Sequence, residues 1–363
     1  MATTITSAIV KVNATITAAP APSQFQQSGA LVSVGGTTLT TNSYAYYGTL
    51  AAVEAVLSTA GNYAELQNMA TTFFAQGNAV GLYVLELGVQ TAVTNGITAL
   101  ETWITANPGV FYSYLTPASW DTDGAALNTM AANYSGATGK TYFFVTTSET
   151  TYSAYGTTKS IIATAPSPTA PSSVFQSAEV FYAFLSTAPS IAAPAAPIGF
   201  RFVTDAYPWP LANNQNTINS LLTANVNIIL SGAEGGISTS TIRNGTTMDG
   251  NQMMFWYAVD WIQIQAKLSL ANAIINGSNS NPPLYYNQPG INTLLAVLEN
   301  VGASGVAFGL LLSATFTATP FYTYTQANPS NYAAGIYDGF ACTATPQLGF
   351  EQITFNLDAT TFA

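Results

Sequence analysis

The residues that could carry chemistry are mostly missing from this sequence. The chain has no histidine and one cysteine, Cys342. That excludes Ser-His-Asp and Cys-His nucleophile systems, His-ligated metals, and thiolate zinc or iron–sulfur centres. One thiol makes no intrachain disulfide, which suits a reducing compartment, and Cys342 reads as a small buried strand residue. Carboxylate chemistry survives. Asp121 and Asp123, in Trp120-Asp121-Thr122-Asp123-Gly124, have the spacing that opens a calcium loop. An EF-hand needs a glutamate where this chain has Ala132, so the favoured reading is that Asp123 caps the following helix through free N–H groups. Gly232-Ala233-Glu234-Gly235-Gly236 lacks the Lys-Ser/Thr of a phosphate loop and reads as a turn. Two acids could hydrolyse a glycoside, but no acid pair is singled out. No catalytic, metal or cofactor-binding residue is therefore assigned.

Composition points away from nucleic acid and toward association. The 363 residues include 6 Lys+Arg and 16 Asp+Glu, a net charge of −10, with 6% charged and 48% hydrophobic residues. Soluble proteins usually carry about 25% charged residues. Phosphate binding needs a basic surface, which six scattered cations do not make. A surface of Thr, Ser, Asn and Gln is easier to desolvate than a charged one, as befits a subunit covered by its neighbours. A secreted or surface protein from a Thr- and Ser-rich lineage is the alternative. No run reaches 18 unbroken apolar residues, so no membrane insertion is expected. Met1-Ala2-Thr3-Thr4 lacks the basic start of a signal peptide.

The elements follow from periodicity. Residues 6–17 alternate, with Val10, Val12 and Ile16 on one side, and a Pro/Ala segment over 18–23 detaches this strand as an arm. A strand on a linker must find its hydrogen-bond partners elsewhere, for example in another subunit. From 30 to about 231, strands are expected at 30–34, 80–87, 110–115, 141–146, 160–164 and 226–230. Helices are expected at 49–59, 63–75, 91–106, 124–133, 177–186 and 216–223. Apolar strands separated by helices argue an α/β domain with a parallel sheet covered on both faces. The tyrosine clusters (Tyr44, Tyr46, Tyr47; Tyr112, Tyr114; Tyr285, Tyr286; Tyr322, Tyr324) read as half-buried strand residues or interface anchors, with a carbohydrate-binding face as the alternative. The segment 350–358 alternates again, placing Ile353, Phe355 and Leu357 on one side.

The stretch 244–312 organises the rest. Asn244-Gly245 and Asp249-Gly250 form tight corners. A long helix then spans 252–276, with Phe255, Val259, Ile262, Ala266 and Ser269 on one face and Trp256, Asp260, Gln263 and Lys267 on another. Pro289 opens a second helix, 290–301, expected to stop at Gly302 before an apolar run at 306–312.

These corners, the helix carrying Val259-Asp260-Trp261, the shorter helix and the strand resemble the C-terminal half of contractile phage tail sheath subunits. Leu222-Thr223-Ala224-Asn225-Val226-Asn227-Ile228-Ile229 is similar to the helix-to-strand segment that precedes this half. Tyr332-Ala333-Ala334-Gly335-Ile336-Tyr337 stands where the family places its last sheet. The resemblance covers most of the chain, through order and spacing rather than one sharp motif. It implies α/β architecture, α+β overall: an arm (1–23), a subtilisin-like sheet domain (24–235), a helix-rich α+β domain (236–345) and an arm strand (346–363). A likeness of fold to subtilisin carries no protease inference.

The resemblance also implies a structural role without catalysis. Subunits of a homo-oligomer would form hexameric rings stacked as a helix around a tail tube protein, with baseplate and tail terminator proteins at the ends. The particle would be a virion assembled in the bacterial cytoplasm. The two arms would add strands to a sheet on a third subunit, and contraction would drive the tube through a host envelope. Asp260 and Lys267 are candidates for facing the tube, with a solvated face as the alternative; the scarcity of basic residues departs from the family's acid–base tube contacts. A surface-layer or adhesin protein, and a carboxylate hydrolase, are the competing functional classes.

Overall fold

The computed structural model describes residues 24–232 and 239–351. In chain order the first part contains β1 (Gly29–Ser33), β2 (Ser43–Tyr47), α1 (Leu50–Leu57), α2 (Tyr63–Ala75), β3 (Leu82–Glu86), α3 (Val93–Ala106), β4 (Ser113–Leu115), α4 (Gly124–Ala132), β5 (Tyr142–Thr146), β6 (Ile161–Thr164) and α5 (Gln176–Leu185). The six strands make one sheet in the order β2-β3-β1-β4-β5-β6.

Strand alternation divides the core. Leu31, Val84, Phe144 and Ile162 face α1, α2 and α5, while Ala30, Val32, Leu85, Phe143 and Val145 face α3 and α4. Every residue of β1 is buried, as expected for a strand covered on both faces. Helix α5 is buried all round, from Gln176 to Leu185. The sheet is mixed, where the sequence suggests a parallel one, because β2 runs antiparallel to β3. No helix separates β1 from β2, so the chain has no crossover and simply returns along the edge. Tyr44 and Tyr46 of β2 meet the Tyr83 ring edge-on.

The chain continues through α6 (Gln215–Thr223), β7 (Ile228–Ser231) and β8 (Ser240–Arg243), the two strands pairing antiparallel. Asn227, fully buried, fastens this pair to the sheet. Its side-chain amide donates to Ala163 O at 3.0 Å and Thr246 O at 2.9 Å, and its carbonyl accepts from Thr246 N at 3.0 Å. The Asn244-Gly245 corner has positive φ at both residues, 72° and 67°. A Cβ on Gly245 would lie 2.3 Å from Gly199 N, so glycine is required there.

The last part holds α7 (Met253–Ser278), α8 (Gln288–Ala307), β9 (Leu311–Ala318), α9 (Phe321–Ala327), α10 (Pro329–Ala333) and β10 (Phe340–Pro346). Asn287 caps α8 by accepting from Gly290 N at 2.9 Å, with Pro289 in the first turn. The expected stop at Gly302 is wrong, since α8 runs on to Ala307. Glycine serves contact rather than termination here: a Cβ on Gly302 would lie 3.0 Å from Ala314 Cβ. A Cβ on Gly305 would lie 2.7 Å from Leu311 Cδ1 and 3.0 Å from the Trp261 ring. Gly305→Val should therefore push β9 off α8 and lower stability by about 1–3 kcal/mol. Denaturant titration checks this, and a wild-type midpoint would show that the helix and strand can part freely. Tyr332–Tyr337 also departs from expectation, because α10 occupies its start and the second strand of the last sheet comes later, at β10.

Candidate functional site

Two features of the second half could matter for a structural role: how α7 is held to the large sheet, and what β9 and β10 leave open.

Apolar residues are spread around α7, so its buried face is set by what it meets. Met253, Met254, Tyr257, Ala258, Trp261 and Ile262 are buried, and so is Asp260. The Asp260 carboxylate points at the start of β4 and β5. Its Oδ2 accepts from Tyr112 Oη at 2.9 Å and Tyr142 Oη at 2.8 Å. Tyr112 Oη also lies 3.4 Å from Gln26 Nε2, which donates to Tyr257 O at 2.9 Å. Lys159, 5% exposed, donates to Gly139 O at 2.8 Å and Gly136 O at 3.3 Å, with Nζ 4.1 Å from the centre of the Trp256 ring. Trp256 Nε1 in turn donates to Asp249 Oδ2 at 2.9 Å, and Lys140 Nζ to Gln263 Oε1 at 2.7 Å.

The charges answer each other across this seam. Burial pushes the Asp260 carboxyl up, while Lys159 and the two phenol hydrogen bonds pull it back. Burial, then the Asp260 charge, holds the Tyr112 and Tyr142 phenols well above their ordinary value. Burial lowers Lys159, and Asp260 opposes that shift. The network ties a long helix to two strands by charge-assisted hydrogen bonds. Among the described residues no cluster of His, Cys, Asp or Glu could hold a metal ion.

Strands β9 and β10 form a separate two-stranded antiparallel sheet, with Phe340 opposite Ala318 and Thr345 opposite Ser313. On its inner side Ala314 and Phe316 pack on Gly302 of α8 and Leu311 on Gly305, and on its outer side Ser313, Thr315 and Thr317 are exposed. Each strand pairs along one edge only, and no other strand joins the sheet among the described residues. The chain between them is knotted by aromatic contacts among Tyr286, Phe321, Tyr332 and Tyr337. Tyr324 Oη donates to Asp338 and accepts from Asn331 Nδ2 at 3.0 Å.

The residues singled out in the sequence fall in different places. Asp260 is fully buried within the chain, and its neighbours on the helix, Trp256 and Gln263, turn toward Lys159 and Lys140. Lys267, further along α7, is exposed. Val10, Val12, Ile16, Ile353, Phe355 and Leu357 lie outside the described residues, as does most of the Gly232–Gly236 turn. Asp123 caps no N–H, its Oδ2 accepting instead from Thr94 Oγ1 at 3.0 Å. Asp121 accepts from Thr151 Oγ1 at 2.6 Å and Tyr155 Oη at 2.8 Å. Tyr112 and Tyr114 are core residues, and Tyr322 and Tyr324 lie on α9 rather than a strand. Cys342 lies on a strand as expected, but it is exposed rather than buried, because β10 is an edge strand of a two-stranded sheet. Sequence reasoning missed Tyr112, Tyr142 and Lys159 as partners of Asp260. The signal available was an acid between Val259 and Trp261, an apolar setting in which a carboxylate needs partners.

By sequence the chain matches no family model and no curated protein. Among solved structures it is similar to a chain of the anti-feeding prophage baseplate, seen by cryo-EM, at 12% identity and a TM-score of 0.69; 99% of this chain and 100% of that one are covered. It is similar also to the helical sheath of the anti-feeding prophage in its contracted state, at 13% identity and a TM-score of 0.63, covering 98% and 99%. The sheath tail protein Lin1278 from Listeria innocua matches at 8% identity and a TM-score of 0.52, covering 81% and 89%. Over nearly its whole length, the chain has the fold of contractile tail sheath proteins.

Proposed function

We propose that this chain is the structural subunit of a contractile tail sheath, assembling as hexameric rings stacked around a tail tube. The observation that carries the proposal is the small sheet of β9 and β10, open at both outer edges among the described residues, in a chain whose first and last segments alternate as strands do. Main-chain edges of this kind accept further strands. Residues 1–23 and the segment beginning near 346 are the arms that would fill them in neighbouring subunits, with Val10, Val12, Ile16, Ile353, Phe355 and Leu357 as the inward side chains. The division into a subtilisin-like sheet domain over 24–235 and an α+β domain over 236–345 belongs to the same reading.

The body surface suits lattice rearrangement. Lys140, Lys159 and Arg201 are tied within the fold, Arg201 donating to Ala183 O and to Ala196 O at 2.8 Å. Partner exchange between such surfaces strands few charges, while arm hydrogen bonds keep subunits connected. Baseplate and tail terminator proteins would hold the extended state behind a kinetic barrier. Lys267 remains the candidate for a tube contact. Assembly would take place in the bacterial cytoplasm, in a virion whose contraction drives the tube through the host envelope, and no residue acts as a catalyst. No helix of the described residues is long and apolar enough to cross a membrane.

Negative-stain electron microscopy of the purified chain, beside chains lacking 1–23 or 352–363, tests the proposal. Hollow tubes or six-fold rings are expected from the full chain and should disappear on either truncation. Tubes that survive both truncations would sink the account of the arms. A monomer at every concentration, also when mixed with tube protein, would sink the sheath assignment.

A further inference from the structure

Helix α5 carries an acid that the fold leaves without a partner. Glu179, between Ala178 and Val180, is 1% exposed, and neither carboxylate oxygen has a hydrogen-bond partner among the described residues. Buried carboxyls are normally satisfied by donors or by a counter-charge. Glu179 forms part of the wall of a cleft of about 660 Å³ between α2 and the segments 173–174 and 204–207. The cleft is braced across its mouth: Gln76 Nε2 donates to Thr204 O at 2.8 Å, and Thr204 N donates to Gln76 Oε1 at 2.8 Å. Asn68, Thr71 and Thr72 line one side, and Asp205 and Tyr207 the other, with no Lys or Arg in the lining.

We propose that this cleft binds a primary ammonium group, with Glu179 as its carboxylate partner and Asp205 at the mouth. One buried carboxylate balances one ammonium, whose other N–H groups suit the neutral amide and hydroxyl oxygens of α2. A divalent cation would need more oxygen ligands and charge than the lining offers. The volume beyond the head group holds an aliphatic stem, so the ammonium could belong to a free diamine or to a lysine side chain.

Burial pushes the Glu179 carboxyl up to about 8, which favours its protonated form at neutral pH. The titratable and charged groups around α5 do little to oppose this. Helix α2 presents uncharged side chains to the cleft, the facing loop presents Asp205 and Tyr207, β5 presents Tyr142, already held by Asp260, Arg201 packs at the C-terminal end of α5 on Ala183 O and Thr187, and α5 itself has Tyr182, which accepts from Ala79 N. Ligand binding at neutral pH thus converts carboxylic acid and ammonium into a carboxylate–ammonium pair, and the acid's proton passes to buffer.

Isothermal titration of the full chain at pH 7, in two buffers of different ionisation enthalpy, tests this with 1,4-diaminobutane and with Nα-acetyl-lysine amide. Binding should release close to one proton per ligand, and Glu179→Gln should weaken it at least about ten-fold, the loss of a charge-assisted contact. A thermal melt confirms that this isosteric variant is folded. Binding of the diamine alone assigns a free amine, and binding of the lysine derivative assigns a protein side chain as a competent source. No binding of either at millimolar concentration, unchanged affinity in Glu179→Gln, or binding without proton release would each overturn the proposal.

Discussion

Replacing Asp260 with alanine is expected to lower the stability of the chain by roughly 3–5 kcal/mol, the usual penalty for breaking a buried charge network. The loss has identifiable parts. The phenols of Tyr112 and Tyr142 would keep their burial but lose the oxygen they share, and an unmet buried donor costs about 1–3 kcal/mol. Lys159 would lose the acid that opposes its desolvation. Asp260→Asn, which keeps an acceptor oxygen, should lose about half as much. Guanidinium titration followed by tyrosine and tryptophan fluorescence reads the shift in midpoint. A cycle with Tyr112→Phe should give a coupling of about 1–2 kcal/mol, and simple additivity would remove the carboxylate from its place as the shared acceptor. If the seam holds α7 to the sheet, hydrogen exchange in β4 and β5 should quicken with the same substitution.

Glu179→Gln should act in the opposite direction and depend on pH. The folded carboxyl is pushed up to about 8 by burial, against about 4.3 in an unfolded chain. A raised acid pKa means that the folded state binds the proton more tightly. The stability it contributes is complete below about pH 4.3 and is lost as pH rises toward about 8, then stays level. At about 1.4 kcal/mol per pH unit, the wild type should give up roughly 3–5 kcal/mol over that window. The amide cannot ionise, so Glu179→Gln should equal the wild type near pH 4 and exceed it by several kcal/mol near pH 9. Melting curves across that range check the sign. A constant difference between the two proteins would mean that Glu179 does not titrate within the window.

Much of the layering was legible in the chain itself. Residues 63–75 form α2 as their pattern predicts, and the apolar runs around 30–34, 141–146 and 160–164 became β1, β5 and β6. Strands of this kind announce themselves because continuous apolar runs must be covered on both faces. The lack of histidine and the single cysteine closed off whole classes of chemistry. The order of elements from the Asn244-Gly245 corner onward carried the resemblance to sheath proteins, and the fold agrees with it.

Tertiary structure alone decided which neighbour each face would meet. Helical period groups Trp256, Asp260 and Gln263 on one stripe of α7, but apolar residues surround that stripe, so periodicity cannot say whether it meets solvent or β4 and β5. Contact with Tyr112, Tyr142 and Lys159, distant in sequence, put Asp260 inside. Gly302 reads locally as a helix end, yet the close approach of β9 made it a packing surface within α8. Glu179 reads as one more polar residue on a helix; only burial on every side turned it into an unpaired acid. In each case local sequence sets the backbone and the spacing of side chains. The sign of a residue's contribution comes from partners that the chain supplies only after it has folded.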